Sequence, residues 1–233
     1  RRHSFPTRRS SDLAQTLSNK EGNISANQSV GIKAGSLDNS KGQIASAKDA
    51  VKLTVQQALL NQEGKVTAAK TLDVKAHSVD NQKGVLAGDA LKLVTTAGQL
   101  NNYQGNILAN SNSEINVKGL DNQNGQIHSN ATLNLDTNAY LLNNHQGSIT
   151  SLQSMTVNSG ELKNNEGLLQ SSSDVTISTA GQSLNNQSTL SKGILAGGAL
   201  SLDTGSLYNQ QGTILSGKSA QVHSKDLQNA SGS

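Results

Sequence analysis

The chain has 233 residues, of which 33% are apolar and 2% aromatic, with 22 glycines, one proline and no cysteine. This composition excludes a conventional globular core, and it leaves a disordered polar chain open unless the apolar residues are placed periodically. The formal net charge is only +3, and the lack of cysteine does not identify a compartment, because many cytosolic and bacterial surface proteins have no disulfides.

Residues 1–13, RRHSFPTRRSSDL, differ from everything that follows. They hold four arginines and one aspartate, which accounts for the whole net charge of +3, and they contain the only proline and the only phenylalanine. We expect an artefactual or disordered tail, since the segment resembles translated sequencing-adapter sequence; a genuine disordered basic arm is the alternative. It has no apolar stretch of the kind found in secretory signals. The remaining residues are electrically neutral and offer no basic surface for nucleic acid.

A repeated unit begins directly after this tail. Residues 37–46 read LDNSKGQIAS and residues 120–129 read LDNQNGQIHS, with asparagine three places before glycine in both. The same spacing recurs along the chain, and successive anchor glycines are mostly 20 to 22 residues apart. The pairs are Asn19 and Gly22, Asn39 and Gly42, Asn61 and Gly64, Asn81 and Gly84, Asn102 and Gly105, Asn122 and Gly125, Asn144 and Gly147, Asn164 and Gly167, and Asn209 and Gly212.

Apolar and small residues occupy fixed places around each anchor glycine. A leucine or valine lies five residues before it, as at Leu37, and an isoleucine, valine or leucine lies two residues after it, as at Ile44. A small residue follows at the fourth place, as at Ser46, and a spaced apolar pair comes later, as at Leu72 and Val74. Alternation with a period of two predicts β-strands.

Short strands, turn residues at a fixed phase and a unit near 20 residues predict one coil of a parallel β-solenoid per unit. Helices are disfavoured, because asparagine and glycine recur in every unit and no segment keeps a helical apolar stripe. About ten coils stacked at the strand spacing of about 4.8 Å would form an all-β rod on the order of 50 Å long. Equivalent residues then lie above one another, with the apolar and small residues inside.

The asparagine and glycine of each unit are expected to form a corner of the coil. Asparagine tolerates a left-handed φ and can hydrogen-bond its own backbone, and the glycine that follows is free of the Cβ penalty. Asparagines in register can also hydrogen-bond along the stack as a ladder. We therefore assign these pairs a structural role in the turn.

One unit departs from the pattern. Asn186 lies well before Gly193, which we interpret as four extra residues, and this alignment places Leu195 and Gly197 inside the coil. The insertion is expected to protrude from an otherwise smooth rod, and loops on a rigid scaffold are where recognition usually resides. A tolerated bulge is the alternative, because the segment lacks aromatic or arginine anchors. The candidate loop comprises Gln187, Ser188, Thr189, Leu190, Ser191 and Lys192.

The recurrent pattern L-x-N-x-x-G-x-[IVL]-x-[ASG], followed by an apolar pair, resembles the haemagglutinin repeats of filamentous-haemagglutinin-type exoproteins of bacterial two-partner secretion. It covers residues 14–233. The resemblance implies a right-handed parallel β-helix in a long filament, secreted by or on the surface of a Gram-negative bacterium. It also implies export through an outer-membrane two-partner-secretion transporter. Members of this group are adhesins, haemolysins or contact-dependent growth-inhibition stalks that carry a toxin.

On this basis residues 14–233 are expected to be an internal fragment of a larger protein, because they contain neither a secretion domain nor an effector of different composition. The expected function is a rigid stalk that projects, or contributes to, adhesion or toxin delivery to target cells. Besides the transporter, the expected partner is a receptor or glycan on a host or neighbouring cell. We expect no nucleic acid partner, and no segment is long or apolar enough to span a membrane.

An enzyme is the alternative, since solenoids of similar shape include polysaccharide lyases and hydrolases that use surface carboxylates. Asp38, Asp80 and Asp121 share one phase, but their two-coil separation of about 9–10 Å slightly exceeds that of an inverting carboxylate pair. We interpret them as solvated turn residues. The histidines lie at different offsets, the tyrosines are scattered and the calcium-binding nonapeptide is absent, so we assign no catalytic, cofactor or metal site.

Overall fold

The structure, a computed structural model, describes residues 14–233, and the predicted tail at residues 1–13 lies outside the described residues. The chain forms a parallel β-solenoid of about 11 turns, which confirms the predicted fold class and adds about one turn to the expected number. Its secondary structure from residue 14 onward consists of strands and turns without a helix.

Each turn runs through short strands on three faces of the rod. The first face follows the asparagine–glycine corner and forms a ten-stranded parallel sheet. Its strands are Asn23–Ala26, Gln43–Ser46, Lys65–Ala68, Val85–Gly88, Asn106–Ala109, Gln126–Ser129, Ser148–Ser151, Leu168–Ser171, Gly193–Ala196 and Ile214–Ser216.

The second and third faces belong to one 18-stranded sheet, because long strands continue from one face onto the other. These long strands are Val30–Asp38, Leu200–Tyr208 and Ala220–Gln228. The strands of the second face alone are Val51–Val55, Thr71–Ala76, Ala90–Thr95, Ser113–Asn116, Leu133–Asp136, Met155–Asn158 and Val175–Ser178. Those of the third face are Ala14–Ser18, Ala58–Leu60, Ser78–Asp80, Leu100–Asn101, Leu120–Asp121, Leu142–Asn143, Leu162–Lys163 and Leu184–Asn185.

The register between turns is one residue to one residue on every face. Ile44 pairs with Val66 on the first face, and Leu72 pairs with Leu91 on the second. Because parallel strands are about 4.8 Å apart, each residue stacks on its equivalent one turn away. The repeat of about 20 residues in the sequence is therefore the circumference of the coil.

The inward-facing columns form one apolar core that runs along the rod. Leu37, Ile44 and Leu72 come from different faces and are fully buried. The small residue of each unit lies where the first face ends, and a serine there bonds a corner carbonyl: the Ser129 Oγ donates to the Ser111 oxygen at 2.6 Å. The narrow coil is thus filled by medium-sized aliphatic side chains, which explains why so few aromatic residues suffice.

The insertion shifts the register relative to the alignment made from the sequence. Gly193 pairs with Leu168, the residue after an anchor glycine, and is not equivalent to the anchor itself. Ile194 is fully buried, whereas Leu195 is half-buried and Gly197 is exposed. The interpretation of four extra residues is wrong by one, because the buried strand and not the nearest glycine determines the register.

Deleting residues 102–143 removes two whole turns and joins Asn101 to Asn144, which occupies the same place in the turn as Asn102. We expect a folded rod that is shorter by about 10 Å, because stability in a solenoid depends on each turn and its nearest neighbours. Small-angle scattering measures the length, and circular dichroism with urea unfolding measures the strand content and cooperativity.

A deletion of residues 102–132 is the matched control, because it removes a non-integral number of turns and brings different faces into contact. We expect this variant to lose cooperative unfolding. Equal folding of the two variants would contradict the role of register.

Candidate functional site

The corner between the third and first faces is a tight turn with asparagine in its first position. The Asn61 carbonyl accepts a hydrogen bond from the Gly64 N–H at 3.0 Å. The left-handed φ predicted for asparagine is wrong, because it occurs two residues later, where Glu63 has a φ of 55°. A positive φ costs an ordinary side chain about 1–2 kcal/mol. The residues in this position are Glu21, Lys41, Glu63, Lys83, Gln104, Asn124, Gln146, Glu166, Ser188, Gln211 and Ser231.

The glycine that ends this turn is required by a close approach between turns and not by its own φ. A Cβ atom at Gly64 would lie 2.2 Å from the Asn39 carbonyl oxygen of the preceding turn and 2.6 Å from the Asn61 Oδ1. Any larger residue would therefore push neighbouring turns apart. The corresponding distance to the preceding asparagine's carbonyl is 2.0–2.3 Å at Gly42, Gly64, Gly84, Gly105, Gly125, Gly147, Gly167 and Gly212.

The asparagine side chains form a buried hydrogen-bond ladder inside this corner. The Asn61 Nδ2 donates to the Asn81 Oδ1 at 2.7 Å, the Gly64 carbonyl at 3.3 Å and the Val85 carbonyl at 3.2 Å. A buried amide without partners would cost about 1–3 kcal/mol, which these bonds offset. The ladder links Asn19, Asn39, Asn61, Asn81, Asn102, Asn122, Asn144, Asn164, Asn186, Asn209 and Asn229.

The insertion leaves the ladder intact and adds a second turn outside it. The Asn186 Nδ2 donates to the Asn209 Oδ1 at 2.7 Å, and the Lys192 N–H donates to the Thr189 carbonyl at 2.8 Å. Thr189 is only 2% exposed, whereas Leu190 is 78% exposed. The protruding tip is thus shorter than the candidate loop. It comprises Leu190, Ser191 and Lys192, and the ordinary turn positions hold Gln187 and Ser188.

The candidate carboxylates lie half-buried on the third face, beside the ladder, and bond to its turns. The Asp121 Oδ1 accepts hydrogen bonds from the Gln123 N–H and the Asn143 Nδ2, each at 3.1 Å. The first of these is the Asx-turn bond that asparagine and aspartate favour at turns. Asp80 accepts the equivalent bond from the Gln82 N–H at 3.1 Å. These carboxylates therefore have a structural use that needs no substrate.

No pair of these carboxylates has the arrangement that glycoside hydrolysis requires. Asn101 lies between Asp80 and Asp121 in the stack. Hydrogen bonds from the Ser40 side chain and backbone lower the pKa of Asp38 from its ordinary value, and Lys20 lowers it further. A general acid needs a raised pKa. The geometry of this column does not favour the lyase or hydrolase alternative.

The other polar candidates remain separate. Within residues 14–233 no group of three or more histidine, aspartate or glutamate side chains could hold a metal ion. The ring nitrogens of His128 lie 2.7 Å from the Thr150 Oγ1 of the next turn and from the Asn130 Oδ1 of the same turn, so both nitrogens already have partners. Lys52 and Asp73 form an exposed ion pair across turns at 2.8 Å. No helix in the described part of the chain could cross a membrane.

Comparison with known proteins identifies the repeats. The family model described as haemagglutinin repeat matches residues 8–62, 50–102, 93–139, 134–195 and 186–233. Together these matches extend over nearly the whole chain. No curated protein and no solved structure matches it.

Replacing Gly125 by alanine tests the close approach at the corner. The new Cβ would lie 2.3 Å from the Asn102 carbonyl oxygen, so we expect a loss of about 3 kcal/mol in the free energy of unfolding. The matched control is Gly31→Ala, where nothing lies within 4 Å of the added Cβ. We expect the control to be neutral or slightly stabilised. Urea unfolding of both variants measures the difference, and similar midpoints would refute the explanation.

Replacing Asn164 by aspartate tests the ladder. The Asn164 Nδ2 donates to the Asn186 Oδ1 at 2.7 Å, and an acceptor in its place would leave a buried, unpaired charge. We expect a loss of about 3–5 kcal/mol in the free energy of unfolding. Burial raises the pKa of such a carboxyl, so the deficit should shrink as the pH falls through that raised value.

The control for this variant is Asn185→Asp, at the next residue but outside the ladder. Asn185 is half-buried and pairs in register with Lys163, which favours an added carboxylate. We expect a change smaller than about 1 kcal/mol, measured by urea unfolding at several pH values. If both substitutions destabilise the rod equally, the ladder has no special role.

Proposed function

The chain belongs to the haemagglutinin repeat family, and from that premise we propose that it is a rigid stalk segment of a secreted filamentous exoprotein of a Gram-negative bacterium. The stalk projects, or contributes to, adhesion or toxin delivery to target cells. The observation that carries this proposal is the unbroken asparagine ladder, which links every turn from Asn19 to Asn229.

Rigidity follows from the way in which neighbouring turns are joined. Each turn is hydrogen-bonded to the next on three faces and again through the ladder. Bending the rod in any direction would stretch the hydrogen bonds on the outer side of the bend, because bonded faces surround the axis. The insertion bulges outward without interrupting the ladder. Within residues 14–233 the rod therefore has no place where it could act as a hinge.

Length is the proposed mechanism. About 11 turns at a strand spacing of about 4.8 Å give a rod of about 50 Å, and every further unit of about 20 residues would extend it by one spacing. Such a rod holds an adhesive or toxic region away from the cell that produces it. Adding or removing whole units changes the reach without changing the fold.

The same architecture suits export. Each turn contacts only its neighbours, so the chain can fold one turn at a time as it emerges from a pore. It contains no cysteine, so its folding needs no disulfide bond. An outer-membrane two-partner-secretion transporter is the export partner in this proposal, and a receptor or glycan on the target cell is the partner at the destination.

An in-phase deletion of residues 39–80, which removes two whole turns by joining Asp38 to Asn81, tests the stalk proposal in the exoprotein that carries this segment. We expect surface display and adhesion to target cells to be retained within about twofold, because the reach falls by only about 10 Å and no hinge is created. Antibody labelling of intact bacteria measures display, and counting bound target cells measures adhesion.

An out-of-phase deletion of residues 39–71, which joins Asp38 to Leu72 on the second face, serves as the control and should abolish the display of the distal region. The stalk proposal is wrong if the in-phase deletion abolishes adhesion while display is normal, since the deleted turns would then carry the activity themselves.

A further inference from the structure

The corner between the second and third faces changes in length along the rod. This corner joins the last inward-facing residue of the second face to the first inward-facing residue of the third face. Over most of the rod the number of residues between them is alternately four and two in successive turns. The long corners are residues 96–99, 138–141 and 180–183, and the short corners between them are residues 118–119 and 160–161. Each short corner is therefore overhung by long corners on both sides.

The short corner at residues 118–119 is the floor of a recess of about 210 Å³. Gln99 belongs to one wall, and Tyr140 and Leu141 belong to the other. A Cβ atom at Gly119 would lie 3.5 Å from the Tyr140 Cβ and 3.9 Å from the Gln99 Cβ. Gly119 has a φ of 94°, which itself favours glycine, and a side chain there would also touch both walls and narrow the recess.

Tyr140 is presented by a rigid turn that does not require an aromatic residue. Its N–H donates to the Thr137 carbonyl at 3.0 Å, and the Thr137 Oγ1 donates to the Tyr140 carbonyl at 2.6 Å. Asn138 and Ala139 have φ values of 53° and 59°, as in a type I′ turn. The equivalent turn two coils later has Gln182 in place of the tyrosine. Because Tyr140 is 55% exposed, the turn and the core do not explain its presence.

Polar groups surround the rest of the recess. Asp121, Asn143 and Lys118 contribute to its lining. The two hydrogen bonds of the Asp121 side chain fall on Oδ1, so Oδ2 has no partner within residues 14–233. Lys118 and Asp121 carry opposite charges, and the recess as a whole is neutral. It therefore combines an apolar wall with hydrogen-bonding groups and no net charge.

We propose that this recess binds one neutral pyranose ring of a glycan. The C–H faces of such a ring are apolar and would stack on Tyr140, while its hydroxyl groups would bond the Asp121 Oδ2 and the Gln99 amide. Sites for drug-sized molecules have volumes of about 300–1,000 Å³, so a recess of about 210 Å³ accommodates a single ring. This assignment rests on the proposed stalk function and names a glycan as the stalk's partner. It places a weak glycan-binding site on the side of the rod.

Saturation-transfer NMR on the chain with the methyl glycosides of glucose, galactose, mannose and N-acetylglucosamine tests the assignment. We expect at least one glycoside to bind, with the Tyr140 ring protons in contact. Tyr140→Ala should weaken its binding about tenfold. Asp121→Asn should weaken it about fivefold, since it converts the Oδ2 acceptor into a donor. The equivalent positions already hold Asn101 and Asn143, so this variant should fold normally.

Tyr103→Ala is the matched control, because Tyr103 lies in an asparagine–glycine turn, outside the recess. It should leave binding unchanged, and thermal unfolding should show that all three variants are folded. The assignment is overturned if no glycoside binds, or if binding survives in folded Tyr140→Ala. An array of host glycans and bacterial surface polysaccharides then separates the two sources of the ring. Failure here would leave the length and display of the rod unaffected, and so is distinguishable from failure of the stalk proposal.

Discussion

Neighbouring turns of this rod lie one strand spacing apart on all sides, and this constraint determines most of the remaining structure. Its effect is clearest at the asparagine corner. A Cβ at Gly84 would lie 2.1 Å from the Asn61 carbonyl oxygen, and the Asn61 and Asn81 amides bond at 2.7 Å. Only glycine fits the position of Gly84. The asparagine position needs a short side chain that both donates and accepts a hydrogen bond. The apolar columns inside the coil follow from the same superposition.

Strain and chemical variety are confined to the outside of this corner. The residue with positive φ is exposed, and it is acidic at Glu63, basic at Lys83 and uncharged at Gln104. Its cost of about 1–2 kcal/mol recurs in each turn, and the ladder and the strand pairing around it keep the backbone in place. Because the side chain points to solvent, the surface can change in charge while the core and the ladder remain the same.

The asparagine corner and the corner between the second and third faces meet opposite structural requirements. A stalk needs every turn to be equivalent, and the asparagine corner meets this requirement even at Asn186, where an insertion follows. The proposed glycan contact needs a departure from equivalence, which the alternating lengths of the corner beside Tyr140 provide. Since each turn contacts only its neighbours, a local change at one corner leaves the rest of the rod undisturbed. This separation would allow a repetitive rod to carry the proposed contact as well.

The sequence by itself determined the period, the strand content, the parallel stacking and the meeting of asparagine with glycine at one corner. These features depend on spacing within a unit, which the letters state directly. Only the tertiary structure decided that positive φ belongs to residues such as Glu63, that Gly193 begins a strand and that Tyr140 overhangs Gly119. Those features arise from contacts between turns, where the register and the length of neighbouring corners decide which atoms meet, and no single unit specifies them.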